Sequence, residues 1–181
     1  PCTTLLKDRF SNPVGLSTAV SFRSEAGSIG GSASTNPLET EGDLTTAQPD
    51  VGKATVIMNT FGILPKDTKP FNDNQRQGTP YEPRTGRPPE YDNPRDGLVT
   101  IIAFVPGEEE FDDVNGNGTY DEGEPFVDLP EPWVDYNDDD DRDDDEPFID
   151  IDLPGNAPGV HDRENGVWDA STVIWTQTRM V

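Results

Sequence analysis

Residues 98–105, Leu-Val-Thr-Ile-Ile-Ala-Phe-Val, are the longest predominantly apolar run in the chain, bounded by Gly97 and by Pro106-Gly107. A short run rich in β-branched and aromatic side chains has the length and make-up of a strand. A membrane helix needs roughly 20 apolar residues, so no membrane insertion is expected. The segments around it read the same way. Residues 171–181, STVIWTQTRMV, alternate Val173 and Trp175 with polar neighbours, as a closing strand with one wet face does. Residues 53–61, KATVIMNTF, and 17–23, STAVSFR, are further strands, and 3–9, TTLLKDR, is a shorter one before a Ser11-Asn12-Pro13 turn. Gly27 to Gly31 reads as a turn, because glycine adopts positive φ without steric cost. Residues 35–50 are polar, and 65–97 hold seven prolines, so both are expected as loops without a helix or a central strand. Short strands, no helical period and long excursions predict one all-β domain over residues 1–181, an antiparallel β-sandwich.

The composition agrees, with only 31% hydrophobic residues beside 17 Gly and 18 Pro. The net charge of -23 is concentrated in one place. Residues 107–169, between the last two strands, hold 24 of the 36 acidic residues and only Arg142 and Arg163 as bases. The rest of the chain is close to neutral. An acidic insert of this kind repels nucleic acid and anionic surfaces, and its natural partners are cations. Cys2 is the single cysteine, so no disulfide forms within the chain; a free thiol and a partner outside the chain both remain open. Without an initiator Met or a signal-peptide pattern, the sequence reads as a mature or excised piece, compatible with secretion.

Within the insert, residues 113–124 read DVNGNGTYDEGE. Asp113, Asn115, Asn117, Thr119, Asp121 and Glu124 fall on positions 1, 3, 5, 7, 9 and 12 of an EF-hand calcium loop, with Gly118 at the sharp turn of position 6. The spacing has a physical cause. Calcium takes roughly 6–8 oxygens at about 2.3–2.6 Å, and alternate residues of a tightly curled loop point inward. Position 7 gives its backbone carbonyl, so Thr119 need not be acidic. A second loop follows 22 residues later: DYNDDDDRDDDE, 135–146, places Asp135, Asn137, Asp139, Asp143 and Glu146 in the same slots, with the Asp141 carbonyl at position 7. Asp140 stands where loop 1 has Gly118, so this loop is expected to be strained. The flanks repeat as well: Glu124-Pro-Phe-Val-Asp128, Glu131-Pro-Trp-Val-Asp135 and Glu146-Pro-Phe-Ile-Asp150.

A degenerate third loop is read at 161–169, HDRENGVWD. Asn165, Gly166 and Asp169 keep its late positions, while His161 and Arg163 spoil the early ones. Asp150 or Asp152 is expected to supply the missing ligand, and Asp128 in the repeated flank joins the candidate set. Two calcium ions are therefore expected, with a third as a further candidate. Pro125 and Pro147 directly follow the position-12 glutamates and exclude an exiting helix, so bare loops strapped to a sheet edge are expected. Phe111, Phe126, Trp133, Phe148 and Trp168 give the insert apolar anchors. Carboxylates about 4 Å apart repel by ~1 kcal/mol in water and more near a protein surface. Folding of the insert is therefore expected to depend on a divalent ion.

Four patches resemble the invasin/intimin-type bacterial Ig-like domains: KDRFSNPVGLSTAVSF (7–22), with Ser11 in place of the usual Gly, GKATVIMNT (52–60), GLVTIIAFV (97–105) and STVIWTQTRMV (171–181). They cover about a quarter of the chain, and the 65–97 loop departs from the family. The insert looks like the calcium-loop-bearing variant of that family. The resemblance implies an Ig-like sandwich, an extracellular or cell-surface location, tandem modules or neighbouring copies as partners, and an adhesive or structural role. Open strand edges at both termini would also permit strand addition into a fibre. An enzyme is not expected, because His161 and Cys2 are the only residues of their kinds and no nucleophile–base set can be built from them. His161 reads as a solvated loop residue. The alternative is a carbohydrate-binding or accessory module of a secreted enzyme, resting on Trp133 and Tyr136 as exposed aromatics.

Overall fold

A computed structural model describes residues 1–38, 48–63, 98–136, 138, 140–144, 146–151 and 157–180. The 65–97 loop and residues 39–47 of the polar stretch lie outside them. The described residues form eight strands and no helix: β1 (Cys2–Leu5), β2 (Ala19–Ser24), β3 (Gly27–Ile29), β4 (Ser32–Ser34), β5 (Lys53–Val56), β6 (Met58–Ile63), β7 (Val99–Gly107) and β8 (Thr172–Met180). All strand–strand pairings are antiparallel, and one isolated bridge, Asn36↔Val51, is parallel. The largest sheet has the order β4-β2-β7-β8, and β1-β5 and β3-β6 are two-stranded.

The apolar run 98–105 supplies the central strand β7. β7 pairs with β8 from Val99↔Met180 to Gly107↔Thr172 and with β2 from Ser21↔Phe104 to Ser24↔Ile101. On one face of this sheet Val20 and Phe22 pack against Ala54 and Val56 of β5, with Cys2, Ile29, Ala33 and Ala103 around them. That is the sandwich core. On the other face Ile102 packs with Val134 and Tyr136 of the acidic insert, bordered by Phe104, Ile149 and Trp175. Ile101 and Ile102 are both buried for this reason, one on each face. Burying one such side chain contributes roughly 1.5–3 kcal/mol. A near-continuous apolar strand is what two covered faces require.

The expected wet face is therefore covered, and the insert does not hang from a sheet edge. Trp175 turns its indole N–H to the Pro130 carbonyl at 2.9 Å and its ring to Trp133, 4.9 Å between centroids. Two further expectations change. The single strand read over 53–61 is two, because the chain leaves β1 at Ile57 and joins β3. Gly27 begins a strand instead of a turn: its φ is 73°, and a Cβ there would lie 2.4 Å from the Asn59 carbonyl oxygen. The strand β4 had no sequence signal. The Ser11 turn stands as read, with Ser11 at φ 63° and the Asp8 carboxylate accepting from the Phe10 and Asn12 amides at 2.9 Å each. The Asn12 amide holds the Asp8 carboxyl below its ordinary value, against a smaller desolvation effect.

Candidate metal centre

The insert is built from two copies of one short ladder. Phe111 bridges Phe126, and Trp133 bridges Phe148, both antiparallel. Asp112 N donates to Pro125 O and Val127 N to Glu110 O in the first copy; Val134 N donates to Pro147 O and Ile149 N to Pro132 O in the second. Each proline contributes only its carbonyl, so its missing N–H removes nothing from the ladder. The aromatic anchors form two clusters. Tyr120 stacks on Trp168 at 4.7 Å between centroids, with Phe111 and Phe126 edge-on. Trp133 and Phe148 instead meet His161 edge-on.

One end of each ladder is closed by a twelve-residue loop, and the two loops share four carboxylate-to-amide bonds. In loop 1 the Val114 and Asp121 amides donate to Glu124 Oε1 and Oε2 at 2.9 and 3.0 Å. Gly116 N and Gly118 N donate to Asp113 Oδ1 and Oδ2, both at 2.7 Å. In loop 2 the Tyr136 and Asp143 amides donate to Glu146 Oε1 and Oε2 at 2.6 and 2.9 Å. Asp138 N and Asp140 N donate to Asp135 Oδ1 and Oδ2 at 2.7 and 3.0 Å. The left-handed turns match too: Gly116 (φ 74°) and Gly118 (φ 81°) correspond to Asp138 (φ 62°) and Asp140 (φ 64°). Two aspartates thus sit where loop 1 uses glycine, the strain expected at position 6 and also present at position 4.

In loop 1 the ends of Asn115, Asn117 and Asp121 meet: both Asn Nδ2 atoms reach Asp121 Oδ2 at 2.6 Å. Thr119 donates its amide and hydroxyl to Asn117 Oδ1. Asp113 and Glu124 face backbone amides, and among the described residues no three Asp, Glu, His or Cys side chains stand close enough to hold an ion as they are. Closing the loop on calcium therefore takes side-chain rotation, and an Asn amide that turns over offers Oδ1 in place of Nδ2. In loop 2, Asn137 and Asp139 lie outside the described residues. The Asp141 side chain is exposed, 3.6 Å from Arg163.

Two arginines tie the loops to the β-frame. Arg9, after β1, donates to the Gly118 carbonyl at 2.9 Å and lies over the Phe111 ring. Arg179 of β8 pairs with Asp135, Asp138 and Asp140 at 2.7, 2.7 and 2.6 Å. Burial alone would lower its pKa, but the hydrogen bonds to Asp140 and Asp135 outweigh that and raise it.

The third loop is assembled differently from the sequence reading. Its missing first position is supplied by Asp128, while Asp150 accepts from Gly159 N instead. Gly166 N and Asn165 N donate to Asp128 Oδ2 and Oδ1 at 2.5 and 3.2 Å, and Asn165 Nδ2 reaches Asp169 at 3.1 Å. Its twelfth position is Glu109, which accepts from Leu129 N and Asp169 N at 2.8 and 3.0 Å, as Glu124 accepts from Val114 and Asp121. Asp152 lies outside the described residues. His161 is no solvated loop residue, since its Nε2 is 3.0 Å from the Glu131 carbonyl and its ring lies between Trp133 and Phe148.

The sequence reading missed Glu109. The signal was present: Glu109-Glu-Phe-Asp-Asp113 is a fourth copy of the Glu-x-aromatic-x-Asp flank. The first two copies, Glu109–Asp113 and Glu124–Asp128, each carry the twelfth position of one loop and the first position of another.

Burial raises the Glu109 carboxyl; at Glu146 burial, with a smaller push from the Asp135 and Asp143 charges, outweighs the Asp143 and Tyr136 amides and raises the carboxyl to about 7. Glu146 thus binds its proton more tightly folded than unfolded. Between about 4.5 and 7 its contribution to stability falls as pH rises. In EDTA the melting temperature should be higher at pH 5.5 than at pH 8, and Glu146→Gln should flatten that slope. In saturating calcium the slope should reverse, because protons compete with the ion for the same oxygens. Thermal melts at the two pH values, with and without calcium, check the signs.

Comparison with known proteins gives no match: no family model, curated protein or solved structure is significantly similar to the chain.

Proposed function

We propose that this chain is a calcium-binding structural or adhesive module of an extracellular, cell-surface protein, an Ig-like sandwich without catalytic function. Calcium orders the acidic insert, and the ordered insert completes the second face of the central sheet. One observation carries this reading. Two twelve-residue loops with calcium-ligand spacing repeat the same carboxylate-to-amide bonds, and the second loop begins at a residue that is fully buried, Asp135. The Glu109–Asp128–Asn165–Asp169 arrangement repeats most of that pattern and adds a third ion. Surface location, tandem neighbours and adhesion rest on the resemblance of the four strand patches. The carbohydrate alternative loses its basis, because Trp133 and Tyr136 are buried against the sheet.

Calorimetric titration with CaCl2 and MgCl2 tests the proposal. At least two calcium ions per chain are expected, with dissociation constants of about 10⁻⁴ M or tighter and weaker magnesium binding, because magnesium demands a smaller octahedral shell. Fewer than one calcium per chain, or equal affinity for both ions, refutes it.

A further inference from the structure

Two ladders have four ends, and the sites above close three of them. At the fourth end stand Glu131 and Asp150, the counterparts in the second ladder of Glu109 and Asp128. Segment 159–162 closes it. We propose that Glu131, Asp150 and Asp162 hold a further calcium ion, with the position-7 carbonyl falling on Val160; this rests on reading the twelve-residue loops as calcium sites.

Glu131 is buried, and its Oε1 and Oε2 accept from Ile151 N and Asp162 N at 2.6 and 3.0 Å. Its own amide donates to the Asp162 carbonyl at 3.0 Å, as Glu124 N donates to Asp121 and Glu146 N to Asp143. Gly159, at φ 76°, donates to Asp150 Oδ2 at 2.8 Å, as Gly118 donates to Asp113 Oδ2. From Gly159 to Asp162 is three residues, the same step as Gly118 to Asp121, Asp140 to Asp143 and Gly166 to Asp169. Segment 159–162 thus supplies positions 6 to 9 of a loop whose ends come from the ladder.

A separate observation points to a ligand. Asp162 Oδ2 is sealed from solvent and has no hydrogen-bond partner among the described residues. Nor does any arginine or lysine among them pair with Glu131, Asp150 or Asp162. A desolvated carboxylate oxygen without donor or counter-charge is costly, and is found where an ion or a proton completes it. A proton would satisfy one oxygen of one carboxyl. Side-chain rotation, as in the loops, lets a calcium ion take oxygens from all three carboxylates and the backbone carbonyl as well, which is the hard-oxygen shell the ion prefers. No contiguous motif marks this site, because its ligands come from three places over about 30 residues.

Counting bound calcium by equilibrium dialysis with ⁴⁵CaCl2, on the full chain and on Asp162→Ala and Asp150→Ala, tests the assignment. Each variant should bind one ion fewer than wild type and keep its near-ultraviolet circular dichroism in calcium. If Asp162→Ala does not fold, the exposed Asp150→Ala carries the test. A wild-type count in the folded variants overturns the site while leaving the loops untouched. Loss of every ion from folded variants also overturns it, since these residues would then shape the insert without ligating. A wild-type chain that binds no calcium removes the reading of the loops together with this one.

Discussion

Excess EDTA should lower the melting temperature by about 10–20 °C relative to 10 mM calcium. Each site at a free concentration near 100 times its dissociation constant adds about 2.7 kcal/mol to the folded state. Two loops then contribute roughly 5 kcal/mol, and a chain of this size shifts by about 2–4 °C per kcal/mol. The effect should reach the core, because the insert is not peripheral. Ile102 has the sandwich behind it and Val134 and Tyr136 in front. Once the insert swells under its own charge, that face meets water. Chelation should therefore raise binding of a hydrophobic dye and weaken the near-ultraviolet signal of the Trp133–Trp175 pair. Molar NaCl should restore only part of the loss, since screening reduces repulsion without bridging carboxylates. A melting temperature unchanged within about 2 °C in EDTA, or one restored equally by NaCl, would contradict the role assigned to the ion.

The strands were legible where hydrophobic pattern and β-branching coincide. β2, β7 and β8 lie within a residue or two of their sequence readings, because each carries a face that is at least partly buried. β4, with only Ser32, Ala33 and Ser34, has no pattern to read and is defined by its pairing to β2. The break at Ile57 was invisible for a related reason. One β-branched run serves two sheets in succession, and propensity carries no information about which partner a strand takes. The apolar character of both faces of β7 was visible in 98–105, but its cause was not. That cause lies in Val134 and Tyr136 of the acidic insert, whose place against the sheet is tertiary information.

The candidate sites divide in the same way. Loops 1 and 2 were legible because all their ligands fall within twelve residues, so spacing alone encodes the geometry. The third arrangement draws Glu109, Asp128 and Asp169 from three segments. Pairing across the Phe111–Phe126 bridge brings the first two together, and that bridge is tertiary information. The Glu-x-aromatic-x-Asp repeat was the one local trace of it. A glutamate and an aspartate four residues apart on a ladder strand point past opposite ends of the bridge, so each strand serves two sites.

Loops 1 and 2 should then differ sharply when their first aspartates are removed. In saturating calcium, Asp113→Ala and Asp135→Ala should each give up one ion, but Asp135→Ala should destabilise by about 3 kcal/mol more. Asp113 is half-buried, and of its partners, Gly116 and Asn117 are exposed where water can replace the lost acceptor, with only Gly118 half-buried. Asp135 has no exposed surface and takes hydrogen bonds from Asp138 N, Asp140 N and Arg179 Nη2. Its loss strands the amide of half-buried Asp138 in a left-handed turn that aspartate already adopts at a cost, and such an unsatisfied group costs roughly 1–3 kcal/mol, while the amide of exposed Asp140 is open to water. It also removes the buried partner of Arg179, leaving that guanidinium with Asp138 and Asp140 nearer the surface. Breaking a buried pair from one side is typically worth about 3–5 kcal/mol. Urea unfolding of both variants in 10 mM calcium measures the difference. Equal losses would mean that the ion alone holds loop 2, and that Arg179 and the buried carboxylate add nothing to the joint between insert and sheet.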